Sequence, residues 1–134
     1  MKDSSLIHQL KEMFTEMVLK KQASKIPQYY HPDFLLYTNG ETMDYAEFLR
    51  SHQEYYASPI QYQIEYDEET FLENKDRLAG RVWITVKKPE HPPRKIEVVL
   101  IAQYKDHKLY RLWELTYPDW SQLPTFQNHE KEND

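Results

Sequence analysis

The sequence predicts an α+β fold in which three N-terminal helices cover one face of a cone-shaped, curved antiparallel sheet. Over the first half of the 134-residue chain, apolar residues recur with helical spacing, and from residue 62 onward they alternate every second residue. The alternating segments are long and are joined by short turns, which is typical of strands that pair as an antiparallel meander. The expected order of elements is α-α-β-α-β-β-β-β.

The N-terminal half contains the three predicted helices and one short strand. Apolar stripes and their flanking residues predict helices over residues 6–18, 26–30 and 45–56. Asp44 and Glu47 have capping-box spacing, which marks the start of the third helix. Residues 34–38 form a short apolar run that ends at an Asn39-Gly40 turn, so they are predicted to be a strand.

The C-terminal half is predicted to consist of four strands. Alternation of apolar and polar residues places them at residues 62–72, 78–87, 96–104 and 109–117. The third of these is apolar on both faces through its middle, which a sheet with one solvated face does not require. We therefore expect a homodimer that associates through the outer face of the sheet, including Val99 and Ile101.

The composition excludes several classes of protein. Two glycines, Gly40 and Gly80, are too few and too far apart for a dinucleotide-binding or phosphate-binding loop. The absence of cysteine excludes disulfides, thiolate metal sites and a cysteine nucleophile. The six histidines show no metal-ligand spacing, so no metal is expected. No other cofactor is expected either. A net charge of −5 has the wrong sign for a nucleic-acid binder.

Length and hydropathy indicate one domain in the cytoplasm. Residues 1–127 are predicted to form a single domain, and the polar residues 128–134 a disordered tail. The longest uncharged apolar run, residues 98–102, is far shorter than the roughly 20 residues of a membrane-spanning helix. Charged residues near the N-terminus leave no apolar core of a signal peptide, so a cytoplasmic location without membrane association is expected.

A strongly curved sheet capped by helices predicts an internal pocket that its own side chains do not fill. Eleven tyrosines outnumber five phenylalanines, and tyrosine suits a wall that is apolar along its length and polar at its tip. The expected partner is a small hydrophobic, ring-containing molecule. The candidate lining residues are Tyr29, Tyr30, Tyr37, Phe48, Tyr55, Arg81, Trp83, Tyr110 and Leu112. Arg81 would suit an anionic or carbonyl-bearing ligand if it lies inside, and a dimer or solvent contact if it lies outside.

The order of elements, the YYHPDF segment before the first strand and the closing KLYRLWELTYPDW resemble the nuclear transport factor 2-like (NTF2-like) superfamily. Within it, the chain is most similar to the SnoaL-like polyketide cyclases and to relatives of ketosteroid isomerase. The resemblance covers residues 5–120 and implies the α+β cone. It implies no single function, since that superfamily contains isomerases, dehydratases, epoxide hydrolases, cyclases and non-catalytic binders.

The last predicted strand is similar to a catalytic motif of that family. In SnoaL-like cyclases the corresponding strand has a His-Trp-Asp triplet, whose Asp is the acid/base in the cavity. Trp113 matches the Trp, Glu114 stands at the Asp, and Leu112 replaces the His. The resemblance therefore implies a carboxylate in the cavity without its partner imidazole.

Glu114 and His52 are the candidate catalytic residues. Burial in an apolar strand would raise the pKa of Glu114 toward the range of a general base that takes a proton α to a carbonyl. The structural alternative is a cross-strand pair between Glu114 and an arginine such as Arg81. His52 lies on the apolar stripe of the third helix, where it either assists Glu114 or is a hydrogen-bonded core residue.

Three functions fit these residues. The first is a cofactor-independent isomerase, cyclase or hydratase with Glu114 as acid/base and His52 or a tyrosine assisting. The second is a non-catalytic module that binds the same kind of small molecule. The third is a dimeric protein-interaction module that uses the outer face of the sheet.

Overall fold

The computed structural model describes residues 5–123 and has the predicted elements in the predicted order, with one short strand added. The helices are α1 (Leu6–Met13), which continues into a π-helical segment (Phe14–Leu19), α2 (Ile26–Tyr29) and α3 (Tyr45–Ala57). The strands are β1 (Tyr30–Thr38), β2 (Glu41–Asp44), β3 (Gln61–Glu73), β4 (Arg77–Lys87), β5 (Arg94–Lys105) and β6 (Lys108–Tyr117). Short 3₁₀ turns lie at Ala23–Lys25 and Trp120–Gln122. The tail predicted at residues 128–134 lies outside the described residues.

The six strands form one open sheet in the order β2-β1-β6-β5-β4-β3. The four long strands β3 to β6 pair antiparallel, as the predicted meander requires. The first strand joins the free edge of β6 in parallel, with Leu36 opposite Leu112 and Thr38 opposite Glu114. The sheet is therefore mixed rather than purely antiparallel. The reason is a pairing between residues 76 positions apart in the chain, which local alternation does not reveal.

The added strand, β2, pairs antiparallel with β1 across the Asn39-Gly40 turn. Its four residues are mostly exposed and show no alternation of apolar and polar side chains. Because strand prediction depends on that alternation, the sequence pattern does not indicate β2. The turn itself is predicted correctly, and its residues have the positive φ angles, 50° and 86°, that Asn and Gly tolerate best.

Side-chain caps fix the ends of two helices. Ser5 accepts a hydrogen bond from the His8 amide at the start of α1. The carboxylate of Glu73, at the end of β3, accepts from two further amides of the first turn of α1 and so ties this helix to the sheet. Asp44 and Glu47 form the predicted capping box of α3, with both reciprocal hydrogen bonds present.

The helices cover the inner face of the sheet, and the core lies between the two layers. Inner-face side chains of the central strands, such as Val82, Val98 and Leu100, are almost fully buried. Gly80 lies on this face directly beneath the ring of Phe71, to which a Cβ at residue 80 would come within 2.7 Å. Glycine here lets an aromatic ring of the edge strand pack onto the neighbouring strand. No helix within residues 5–123 has the length and apolar composition needed to span a membrane.

Candidate active site

Glu114 is buried at the centre of β6, on the face of the sheet that the helices cover. The residue is 8% exposed and is the one acidic or basic residue among the buried residues of the described core, which is otherwise apolar or aromatic. It alternates with Trp113 and Leu115, which lie on the outer face. Leu100 of β5 and Thr38 of β1 flank it in the sheet. Glu114 therefore points toward the helical layer.

The Glu114 carboxylate has one neutral hydrogen-bond partner. The hydroxyl of Thr38 donates to Oε2 at 2.8 Å. Within residues 5–123, no other side chain hydrogen-bonds to this carboxylate and no cation pairs with it. Burial raises the pKa of Glu114 from 4.5 to about 7, and the Thr38 hydrogen bond opposes part of that rise. A carboxyl group with such a pKa exchanges a proton readily near neutral pH, as a general acid/base must.

The structure corrects the predicted position of Arg81. Inner-face residues of β4 alternate with Arg81 and Trp83, which therefore lie on the outer face. Arg81 donates to Asp67 at 2.6 Å and to Glu97 at 2.8 Å, so it is neither in a pocket nor paired with Glu114. Trp83 lies beside the Arg81 guanidinium, 4.7 Å from the ring centroid, and is not a pocket residue. The structural alternative for Glu114 thus loses its proposed partner.

Two predicted lining tyrosines also lie away from the inner face. Tyr37 alternates with the buried Leu36 and stacks on Trp113 of the outer face, with ring centroids 5.7 Å apart. Tyr110 packs against His31, and the Arg111 guanidinium lies over the Tyr110 ring, 3.9 Å from the ring centroid. The pairing of β5 with β6 shifts register next to Tyr110, so simple alternation assigns it to the wrong face.

Tyr30 is the predicted lining residue most closely associated with Glu114. Its ring is 3% exposed and packs on Phe34 and Phe48, with centroids 4.8 and 4.7 Å away. Its hydroxyl donates to the sulfur of Met13 at 3.6 Å, and a thioether is a weak acceptor. Burial chiefly raises the pKa of Tyr30, and Tyr56, Tyr104 and Glu114 add smaller contributions in that order. The phenol therefore stays protonated, with a hydrogen that a better acceptor would attract.

His52 lies on α3 within the same aromatic layer. Its ring is 4.0 Å from that of Phe48 and 5.4 Å from that of Tyr56. Nδ1 lies 2.8 Å from the Phe48 carbonyl, which only accepts, so Nδ1 carries the proton and Nε2 is the basic nitrogen. Burial lowers the pKa of His52 to about 4, although this hydrogen bond opposes the shift. In the described part of the chain no hydrogen bond joins His52 to Glu114.

The remaining lining candidates have different surroundings. Tyr29 is buried, but its hydroxyl donates to Glu12 of α1 at 2.8 Å, which gives it a structural role between two helices. Tyr55 is half-buried next to His52. Phe48 and Leu112 are both buried in the core around Tyr30 and Glu114.

The two hollows found among the described residues lie away from Glu114. A surface groove of about 430 Å³ is lined by Pro32–Leu35 and Asp44–Ala46, and a second hollow of about 190 Å³ lies at the start of β3. Neither includes Glu114 or His52 in its lining. Phe34 is among the residues that line the groove, and its ring packs on those of Tyr30 and Phe48. Across residues 5–123, no cluster of His, Asp or Glu could hold a metal ion.

Solved structures share this architecture. PrhC from Penicillium brasilianum has a TM-score of 0.74, with 94% of this chain and 89% of that chain covered at 14% identity. A candidate isomerase from Rhodopseudomonas palustris has a TM-score of 0.72, covering 95% and 98% at 10% identity. A candidate polyketide cyclase from Acidithiobacillus ferrooxidans has a TM-score of 0.65, covering 92% and 97% at 16% identity. The chain has the α+β cone fold of these structures, which is the fold that the resemblance to the NTF2-like superfamily implies.

At these identities the likeness establishes the fold and not the activity. No protein-family model matches the chain, and no curated protein matches it significantly in sequence. The chemistry of this protein must therefore be argued from its own residues.

One residue of the site is missing from the sequence-based candidates. Thr38, the hydrogen-bond partner of Glu114, comes from the strand that pairs in parallel with β6. No local pattern marks this threonine, because its position depends on that distant pairing.

Proposed function

We propose that this NTF2-like protein binds a small, uncharged, hydrophobic molecule with a ring and a carbonyl group, and that Glu114 transfers a proton on it. The observation that supports this proposal most strongly is the buried Glu114 carboxyl, which has a single neutral partner and a pKa raised to about 7. An ionisable group held in this way reduces stability and is typical of acid/base sites. The reaction class is that of a cofactor-independent isomerase, cyclase or hydratase.

The surroundings of Glu114 favour an uncharged ligand. Arg81 and Lys95, basic residues near the centre of the sheet, lie on the outer face and pair with acidic side chains. An anionic molecule beside Glu114 would be buried without a cation to pair with, which is unfavourable. A carbonyl oxygen, in contrast, would accept the hydrogen that the Tyr30 hydroxyl now gives to the Met13 sulfur. Tyr30 would then stabilise the enolate formed when Glu114 removes the α-proton.

Entry of a ligand requires movement of the aromatic layer. Phe34 both lines the surface groove and packs on Tyr30, so its displacement is the route that we propose from the groove toward Glu114. The solved structures with this fold include a candidate isomerase and a candidate polyketide cyclase, which supports ligand chemistry in such a cone. A cytoplasmic location remains a prediction from the sequence.

Thermal unfolding against a library of cyclic ketones, lactones and epoxides tests this proposal. A compound that binds the folded state raises the midpoint through mass action. We expect stabilising compounds to be uncharged, and their effect to weaken in Tyr30→Phe, which lacks the donor for a carbonyl. Glu114→Gln is measured as well, and Glu69→Gln, the same substitution at an exposed strand position, is its control. If no compound raises the midpoint, the ligand-binding proposal is wrong.

Turnover of the stabilising compounds then separates an enzyme from a binding module. We expect proton exchange at the α-carbon in D₂O, followed by NMR, to occur with the wild type and to fall by roughly 10²–10⁴-fold in Glu114→Gln. Binding that persists in Glu114→Gln without any exchange in the wild type would establish the non-catalytic alternative.

We further propose a homodimer formed through the outer face of β5 and β6. Four neighbouring side chains there are exposed apolar or aromatic residues: Val99 (49% exposed), Ile101 (46%), Leu115 (67%) and Tyr117 (77%). Val99 lies directly opposite Leu115, so the exposed residues form one surface rather than scattered positions. Adjacent exposed apolar residues of this kind mark association surfaces.

Replacing Leu115 with Lys is expected to convert the dimer to a monomer, because a charge would be buried at the centre of the association surface. Sedimentation at micromolar concentration should then change from about twice to about one times the chain mass of 16.3 kDa. Leu19→Lys places the same charge at an exposed leucine of the helical layer and should leave the dimer intact. A wild-type protein that sediments only as a monomer contradicts the proposal.

A further inference from the structure

The turn between β1 and β2 makes more contacts than a hairpin requires. Asn39 and Gly40 supply its positive φ angles, which explains their backbone role. The side chain of Asn39, however, points back to β6 rather than into solvent. Its Oδ1 accepts from the amide of Thr116 at 2.8 Å, and its Nδ2 donates to the hydroxyl of Thr116 at 2.7 Å.

These bonds extend the parallel pairing of β1 with β6 beyond the end of β1. The Asn39 backbone amide donates to the carbonyl of Glu114 at 3.2 Å, which is the last main-chain bond between the strands. The chain then turns away from β6. The side-chain amide of Asn39 bonds to Thr116 where the next peptide group of β1 would otherwise pair with β6. Three hydrogen bonds therefore join this one residue to Glu114 and Thr116.

The residues on either side of this junction form the candidate site. Thr38 immediately precedes Asn39, and its hydroxyl lies 2.8 Å from the Glu114 carboxylate. A threonine at the end of a strand would otherwise move with the hairpin, since the β2 edge of the sheet is exposed. We infer that Asn39 is a positioning residue that clamps the turn to β6 and so holds the Thr38 hydroxyl against the Glu114 carboxylate. A role for Asn39 in catalysis rests on the proposed function, whereas its role in holding Thr38 against Glu114 does not.

The orientation of the Asn39 amide is fixed by its partners. The Thr116 amide only donates, so it must face Oδ1, and the Thr116 hydroxyl is free to accept because it donates to the Pro118 carbonyl at 3.0 Å. Asp119 also lies nearby, and its pKa is lowered mainly by Ser121 and to a smaller extent by Asn39. Replacing Asn39 with an acid would bring two carboxylates together, so the informative replacement is uncharged.

The test is an NMR titration of the side-chain carboxyl carbon of Glu114 in four proteins. Thr38→Val removes the hydrogen bond that stabilises the charged form, so the pKa of Glu114 should rise by roughly one unit. Asn39→Gly keeps the positive φ angle but releases the clamp, and should raise this pKa in the same direction by a smaller amount. The fourth protein is Asn74→Gly, in which another turn asparagine loses its bonds to the amides of Asp76 and Arg77, far along the chain from Glu114.

Asn74→Gly should lower stability and leave the pKa of Glu114 unchanged, because Asn74 only stabilises its own turn. The inference fails if Asn39→Gly behaves in the same way, or if Thr38→Val does not alter the pKa. Should Asn39→Gly not fold, Thr116→Val removes the hydroxyl that accepts from Nδ2 of Asn39, together with its bond to the Pro118 carbonyl, and leaves the bond from the Thr116 amide to Oδ1. This variant should give a smaller rise of the Glu114 pKa, and no rise would again count against the clamp. The titration requires no ligand, so its outcome is independent of whether a substrate is found.

Discussion

Glu114→Gln is expected to gain stability relative to the wild type as the pH rises. Between acidic and mildly alkaline pH, the difference in the free energy of unfolding should change by about 3 kcal/mol in favour of the variant. The pKa of Glu114 is about 7 in the folded protein and close to 4.5 when the side chain is exposed to solvent. Below pH 4.5 the group is protonated in both states. As the pH rises from there to 7, the unfolded state loses its proton first, so the folded wild type loses stability. Glutamine does not ionise, so the variant lacks this loss.

Urea unfolding at about pH 5 and about pH 8 measures the effect. The buried amide of Gln can add a constant offset, because its NH₂ group needs a partner, and the comparison of the two pH values removes that offset. Glu69→Gln, at an exposed position, is the matched control and should show no comparable difference between the two pH values. A variant that is destabilised by the same amount at both pH values, or more at the higher one, would show that Glu114 is held charged by a partner.

The parts of the fold that the sequence predicts are those governed by local spacing. In β4, Val82 and Ile84 alternate with Trp83 and Thr85, and burial follows that alternation throughout the strand. Asp44 and Glu47 mark the start of α3 through a capping box, which depends only on two residues three positions apart. Such signals are complete within a few residues, so a single sequence contains them.

What the sequence does not reveal depends on distant pairing or on packing. Tyr110 lies beside a register shift, and one extra residue in a strand reverses which face the following side chains occupy. Thr38 reaches Glu114 only through the parallel pairing of β1 with β6. Whether the tyrosine-rich interior is open or filled is decided by how the rings of Tyr30 and Phe34 fit together, which composition does not specify.

Replacing His52 with Leu is expected to make the protein more resistant to acid, which is opposite in sign to the effect at Glu114. Burial lowers the pKa of His52 from 6.5 to about 4, so the folded state favours the neutral ring. The stability that this provides is complete above pH 6.5 and is lost as the pH falls toward 4, because the unfolded state gains the proton first. The loss should be on the order of 2 kcal/mol, less than the shift alone suggests, since the ring is partly exposed.

The two groups therefore oppose each other between pH 4.5 and 6.5. In the wild type, rising pH weakens the fold through Glu114 and strengthens it through His52, so we expect a nearly flat stability profile in this interval. Glu114→Gln should leave a profile that rises with pH, and His52→Leu one that falls. Urea midpoints at half-unit intervals of pH check this, with the double variant as the control that should be flat again. If His52→Leu keeps the wild-type profile, the folded state does not lower the pKa of His52, and the expected opposition to Glu114 is wrong.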